Sequence, residues 1–203
     1  YFYKGDVPNA KKNLEKSIDL ESENSKVLYR LGEIHVQTKE YDKAEDYIKK
    51  ALKIFKDLRG AHYMLGEIKA AQNAPDEAVA LYQKEIEQFP DSFPTALKLA
   101  DIYMKKSEYS KGIAFYQKAI QLQPSFKLPY IMIARYYMDS NQKLDEAVSL
   151  ARKGIALEPP DELTLMGYFI LTNIYSRWGD KTLTEHYSAL GEELYRKLEA
   201  EKQ

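Results

Sequence analysis

The chain has no cysteine among its 203 residues. Disulfides, thiolate metal sites and cysteine nucleophiles are therefore excluded. No apolar run approaches the ~18 residues of a membrane-spanning helix, so no membrane insertion is expected. Net charge is nearly absent as well. Lys and Arg number 30 against 31 Asp and Glu, giving -1 at pH 7, and such a balance recommends neither nucleic acid nor an anionic membrane as partner. Histidine is sparse. His35, His62 and His186 form no pair at helical i, i+4 spacing and meet no carboxylate cluster that would hold a metal. There is no glycine-rich phosphate loop and no serine elbow. These absences leave no recognisable reaction centre. The chain is expected not to be an enzyme, and no cofactor, catalytic residue or metal site is expected.

What is present is a period. Leu31-Gly32, Leu65-Gly66, Leu99-Ala100 and Ile133-Ala134 recur at one constant step, and Ala10, Ala44, Ala78 and Gly112 recur at the same step. Repeats of about 20–50 residues mark stacked arrays, which present a surface rather than a reaction pocket. Within each period two amphipathic stretches flank a short polar break. Val27, Leu28, Leu31, Ile34 and His35 lie on one face, followed by Lys39–Asp42, with Asp42 expected to cap the second helix. Ala44, Tyr47, Ile48, Ala51, Leu52 and Phe55 then lie on the next face. Pro90, Pro124 and Pro159 follow the second stretches, where proline stops a helix at no internal cost. Glycine inside a helix costs about 1 kcal/mol relative to alanine. Gly32 and Gly66 are therefore expected where two helices, ~8–10 Å apart, cross most closely.

The rhythm lengthens by one residue near Asn141-Gln142-Lys143 and by three near Pro159-Pro160-Asp161, both read as loop insertions. The last unit is expected to place Thr172, Thr184 and Gly191 at the small sites. The parse is a half repeat over 1–24, carrying Ala10, Leu14 and Ile18, then repeats over 25–58, 59–92, 93–126, 127–161 and 162–203.

The residues Leu99-Ala100, Tyr103, Gly112, Tyr116, Ala119 and Pro124, with their counterparts in the other units, resemble the tetratricopeptide repeat. The second unit departs from the pattern at Glu85, which stands where the second Ala is usual. The pentatricopeptide repeat, a related RNA-binding array with a period one residue longer, fits less well because three consecutive steps keep the shorter period. The resemblance implies an all-α, right-handed superhelical solenoid of stacked helix-turn-helix repeats whose first helices line a concave face. The basic clamp by which some members hold acidic chaperone C-termini is absent here. Only Lys26 and Arg30 match it, and Met64, Lys98, Glu67 and Asp101 stand at the following equivalents.

Residues at i, i+4 and i+8 share a helix face. The candidate binding positions on the inward face are thus Tyr29, Glu33, Tyr63, Glu67, Leu97, Asp101, Ile131, Arg135, Met138, Phe169, Asn173 and Arg177. Glu33, Glu67 and Asp101 repeat with the period and read as an acidic column, with Tyr29 and Tyr63 one turn before them. Such a face suits a peptide or protein segment with basic residues. Further along, Ile131, Met132, Met138 and Phe169 with Arg135 and Arg177 read as a place for an apolar anchor beside a carboxylate. The expected function is a non-enzymatic protein-interaction module, a fragment of a larger protein, that binds an extended peptide or partner helix. The alternative is a self-assembling scaffold, a homo-oligomer stacked end to end through its truncated repeat ends. The compartment stays open, with the cytoplasm as default.

Overall fold

The protein is described by a computed structural model covering Leu14 and residues 24–202. The expected half repeat over 1–24, with Ala10 and Ile18, falls outside the described residues apart from Leu14 and Asn24. Among the described residues there are ten helices and no strand. They are α1 (Ser25–Gln37), α2 (Tyr41–Ile54), α3 (Ala61–Ala71), α4 (Pro75–Gln88), α5 (Phe93–Lys105), α6 (Tyr109–Leu122), α7 (Lys127–Asp139), α8 (Leu144–Ile155), α9 (Glu162–Trp178) and α10 (Lys181–Ala200). The chain forms two compact units, Tyr1–Leu99 and Ala100–Gln203.

Local chemistry sets the helix starts. The Asn24 side chain accepts from the backbone N–H groups of Lys26 and Val27, 3.1 and 3.3 Å away, two of the donors a first turn leaves unpaired. Pro75 opens α4, where its missing N–H costs nothing. Asp161 and Thr164 cap α9 reciprocally. At α2 the expectation fails: Glu40 is the N-cap and Asp42 lies inside the first turn.

The turns between paired helices share one device. Lys39, Asn73, Ser107 and Asn141 all have φ between 53° and 61°, and they too recur with the sequence period. After each, a backbone N–H reaches back five residues: Glu40 to His35, Ala74 to Lys69, Glu108 to Tyr103 and Gln142 to Tyr137, at 2.8–2.9 Å. This is the Schellman closure, whose left-handed residue is usually glycine. Only the last pair follows that preference, with Gly179 at φ 75° and Asp180 bonded back to Tyr175. The inserted residue of the fourth turn takes the left-handed region as well, at Lys143.

In the first unit α1 packs with α2 and α3 with α4, and α3 lies against α2. A Cβ at Gly32 would come within 2.5 Å of Ile48 Cγ1, and one at Gly66 within 2.5 Å of the Tyr82 ring. The glycines are therefore required by close approach, as their position predicted. Leu31, Ile34, Ile48 and Ile68 are fully buried there, each contributing about 1.5–3 kcal/mol. In the second unit α7 pairs with α8 and α9 with α10, and α9 also meets α7 and α8. The close approach of α9 to the preceding repeat is at Gly167, where a Cβ would lie 2.3 Å from Ile155 Cγ2 of α8. Within the last repeat the expected small sites are less tightly packed. Thr172 and Thr184 are half-buried and donate their hydroxyls to the carbonyls of Tyr168 and Asp180, and no neighbour comes nearer than 3.6 Å to a Cβ at Gly191.

Candidate functional site

The first helices carry every candidate binding residue, and the structure divides them into three groups. The first group is consumed by the core. Ile131 is fully buried, its Cδ1 lying where a Cβ on Gly154 or Gly167 would be, 2.6 and 3.1 Å away. Met138, two turns further along the same face of α7, is buried too. Neither offers surface to a partner, which corrects the expectation for both. The two missing side chains on α8 and α9 let Ile131 sink between those helices, so its apolar character serves packing.

The second group is half-buried and internally bonded. In the first unit the Arg30 guanidinium lies 2.6 Å from the Glu33 carboxylate. Glu67 accepts a hydrogen bond from the Tyr82 hydroxyl and another from Lys98 Nζ at 3.0 Å. In the second unit Asp101 accepts from the Tyr116 hydroxyl. Tyr82 and Tyr116 are buried, and a buried hydroxyl without a partner is costly. The recurring acids thus supply the acceptors that let a tyrosine fill the second-helix core position of the same repeat. Burial, then the neighbouring carboxylates, raises both hydroxyls well above the ordinary tyrosine value, so both remain donors. Burial, with Glu67 beside it, likewise pushes Tyr63 up to about 12. The Tyr29 hydroxyl is also raised, by burial first and then by Glu33 and Glu85. Its oxygen lies 2.8 Å from where a Cβ on Gly60 would be. Leu97 is half-buried on α5.

The third group remains accessible. Phe169 is 59% exposed. Asn173, one turn on, bonds only to its own helix in the Phe169 carbonyl, 3.2 Å away. Arg177 is exposed but directed: it donates to the Met138 carbonyl at 2.8 Å and to Asn141 Oδ1 at 3.4 Å. Arg135 is half-exposed, with Asp139 3.6 Å from Nε and the Met166 sulfur 3.9 Å from Nη1. Beside it the second unit has a surface pocket of about 390 Å³, lined by Met104, Tyr109, Met132, Arg135, Tyr136 and Asp139, with Ser140 at its rim. The Tyr109 and Tyr136 rings meet across it with centroids 4.6 Å apart and planes tilted by 32°. Sequence spacing did not find Met104, Tyr109 or Tyr136, because they come from three different helices.

Two buried charges were also not anticipated. Glu85 on α4 is fully buried and accepts the backbone N–H groups of Gly60 and Tyr63 at 2.7 and 3.3 Å. It therefore caps α3, whose own N-cap, Gly60, has no side chain. Lys127 is 6% exposed and donates to the Pro159 carbonyl, Asp161 and Thr164 at 2.6–2.9 Å. Both residues order the chain around first helices. Among the described residues no group of three or more His, Asp or Glu side chains could hold a metal, and no helix is long and apolar enough to cross a membrane.

A sequence model of the tetratricopeptide repeat protein 21 C-terminal ARM domain matches residues 8–131. No curated protein matches the chain. Solved structures do. The crystal structure of MamA is similar at a TM-score of 0.64 and 25% identity, covering 76% of this chain and 90% of MamA. YrrB, described as a TPR protein with an unusual peptide-binding site, is similar at 0.72 and 15% identity, covering 94% of this chain and 98% of its own. PilW, described as a type IV pilus biogenesis factor, is similar at 0.68 and 21% identity, covering 94% and 86%.

Proposed function

The chain belongs to the family of the tetratricopeptide repeat protein 21 C-terminal ARM domain, an all-α array of helical repeats, and from that premise we propose that its first-helix face binds an extended peptide or a partner helix. The module joins proteins and carries out no reaction of its own. One observation carries this reading. Phe169 is a large aromatic left 59% exposed on a first helix, although the same helix buries Ile170, Leu171 and Ile174. Burying such a ring against a partner contributes about 1.5–3 kcal/mol. YrrB, similar in fold, is described as having a peptide-binding site, which supports the same use of this fold here.

The acids of the first unit give the face its polarity. Glu33 and Glu67 each hold one cation, Arg30 and Lys98, and both ion pairs are part-exposed. Pairs of this kind are worth little and exchange readily, so a basic segment of a partner can replace either cation.

The test is selection of random displayed peptides on the full chain. Selected peptides are then measured against Phe169→Ala and Glu33→Lys variants that melt like wild type. Weaker binding to either supports the face as the site; unchanged binding to both removes it. Glu67→Lys and Asp101→Lys are unsuitable, because each would strip a buried tyrosine of its acceptor. Self-assembly is the second reading, favoured by Tyr195, 54% exposed on α10. Light scattering separates the two: the mass of a monomer at every concentration ends the second.

A further inference from the structure

The pocket between α5, α6 and α7 has a composition that specifies its occupant more narrowly than the face as a whole. Its walls are Met104 and Met132, with the tilted ring pair of Tyr109 and Tyr136. Methionine is unbranched and polarisable, so such a wall adapts to apolar side chains of varied shape. Tyr109 is 39% exposed although its ring already meets that of Tyr136, so part of this ring remains open to a partner. At about 390 Å³ the pocket holds one large side chain.

The rim decides what lies beside that side chain. Arg135 offers a planar fork of donors, and its present neighbours are distant: Asp139 at 3.6 Å and a methionine sulfur at 3.9 Å. The Arg135–Asp139 pair is half-exposed on both sides and spans one helical turn, the kind of pair that contributes little. Two further cations stand at the same ends of these helices. Lys105 follows Met104 in the last turn of α5, and Arg177 is bonded to the Met138 carbonyl in the last turn of α7. Glu108, at the start of α6, is already held by Lys111 at 2.6 Å. Among the lining residues Arg135 is the cation and Asp139 the carboxylate, while Lys105 is the chain neighbour of the lining Met104 and Arg177 is bonded to the residue that precedes the lining Asp139.

We infer that this pocket takes a large apolar side chain from within a partner's chain, followed directly by an acidic residue whose carboxylate Arg135 binds. The inference rests on the first-helix face being a peptide-binding surface and names the chemistry of one place on it.

The test uses the full chain labelled with 13C at the methionine methyls. The five methionines place reporters at Met104 and Met132 in the pocket, with Met64 in the first unit and buried Met138 as references. Two end-capped probes are titrated, acetyl-Ser-Leu-Glu-Ser-amide and acetyl-Ser-Leu-Lys-Ser-amide. The expected result is movement of the Met104 and Met132 signals with the acidic probe, with the lysine probe about tenfold weaker. In Arg135→Gln the two probes become equal. Equal binding of both probes to wild type, a preference that survives Arg135→Gln, or shifts confined to other methionines overturns the inference. So does an absence of binding by either probe. In each of these cases the peptides selected against the Phe169 face still decide the wider reading separately.

Discussion

The two units order the start of a first helix with buried charges of opposite sign. In the first unit the Glu85 carboxylate reaches from α4 to the N–H groups that open α3. In the second the Lys127 ammonium reaches from the start of α7 to a carbonyl, a carboxylate and a hydroxyl around the start of α9. The anion meets backbone donors at the positive end of a helix dipole. The cation meets acceptors in a lengthened loop. The start of α3 presents free backbone donors to Glu85, whereas Asp161 already caps α9 and Pro159 and Pro160 have no N–H, so a carbonyl, a carboxylate and a hydroxyl face Lys127. Both charges are tolerable in the interior only because each is fully hydrogen-bonded.

The largest effect that would test this contrast is at Lys127. Lys127→Ala leaves Asp161 and the Pro159 carbonyl without their cation and is expected to cost about 3 kcal/mol, read as a lowered denaturant midpoint. Its pH profile sharpens the point. Burial alone would raise the Asp161 carboxyl, but hydrogen bonds from Lys127 and Thr164 outweigh it and hold the group below its ordinary value. A depressed carboxyl stabilises the fold above its unfolded pKa and loses that contribution as pH falls through the native value. Wild type is therefore expected to lose more stability than Lys127→Ala on acidification below pH ~4, measured by thermal melts. Parallel acid profiles would break the account.

Glu85→Ala comes next. It restores the residue type of Ala51 and Ala119, yet it uncaps α3 and is expected to cost about 2 kcal/mol. Chemical denaturation would check this; a neutral result would mean that water replaces the carboxylate. Gly66→Ala and Gly191→Ala form the third pair. The first forces a methyl toward the Tyr82 ring and should cost about 1–2 kcal/mol. The second meets no atom closer than 3.6 Å and should gain about 0.5–1 kcal/mol from helix propensity. Calorimetric melting of both variants measures the difference. The smallest effect is at Lys39, whose left-handed backbone glycine accepts without strain. Lys39→Gly should gain about 0.5 kcal/mol, the larger part offset by the entropy glycine adds to the unfolded chain; the same calorimetry reads it.

The helices were legible because their signals are local. Ala61–Ala71 reads directly as one amphipathic stretch, and Pro75 marks the next helix start. Gly32 and Gly66 were legible as close crossings, since few other reasons place glycine inside a helix. The left-handed turn residues were not legible, although Lys39, Asn73, Ser107 and Asn141 keep the same period. Their side chains share nothing; the backbone hydrogen bond alone demands the conformation. Glu85 was visible as a departure from the alanine column, but its partners, Gly60 and Tyr63, belong to the start of the preceding helix. The acids Glu67 and Asp101 looked like a free column because spacing counts charges and does not show what they touch. Tyr82 and Tyr116, each on the second helix of the same repeat, proved to be their donors. The pocket beside Arg135 was hidden for a similar reason, its walls coming from three helices.

The amino-acid sequence by itself determined the period, the helix pairs and the small residues at the first crossings. Each of these follows from residue type and spacing along one helix or one turn. Tertiary structure alone decided which candidate side chains reach the surface. Ile131 and Met138 are as apolar as Phe169, but two of them found a cavity between neighbouring helices and the third did not. Burial depends on what stands opposite a side chain, and Gly154 and Gly167, which make room for Ile131, belong to the two helices that follow it in the chain.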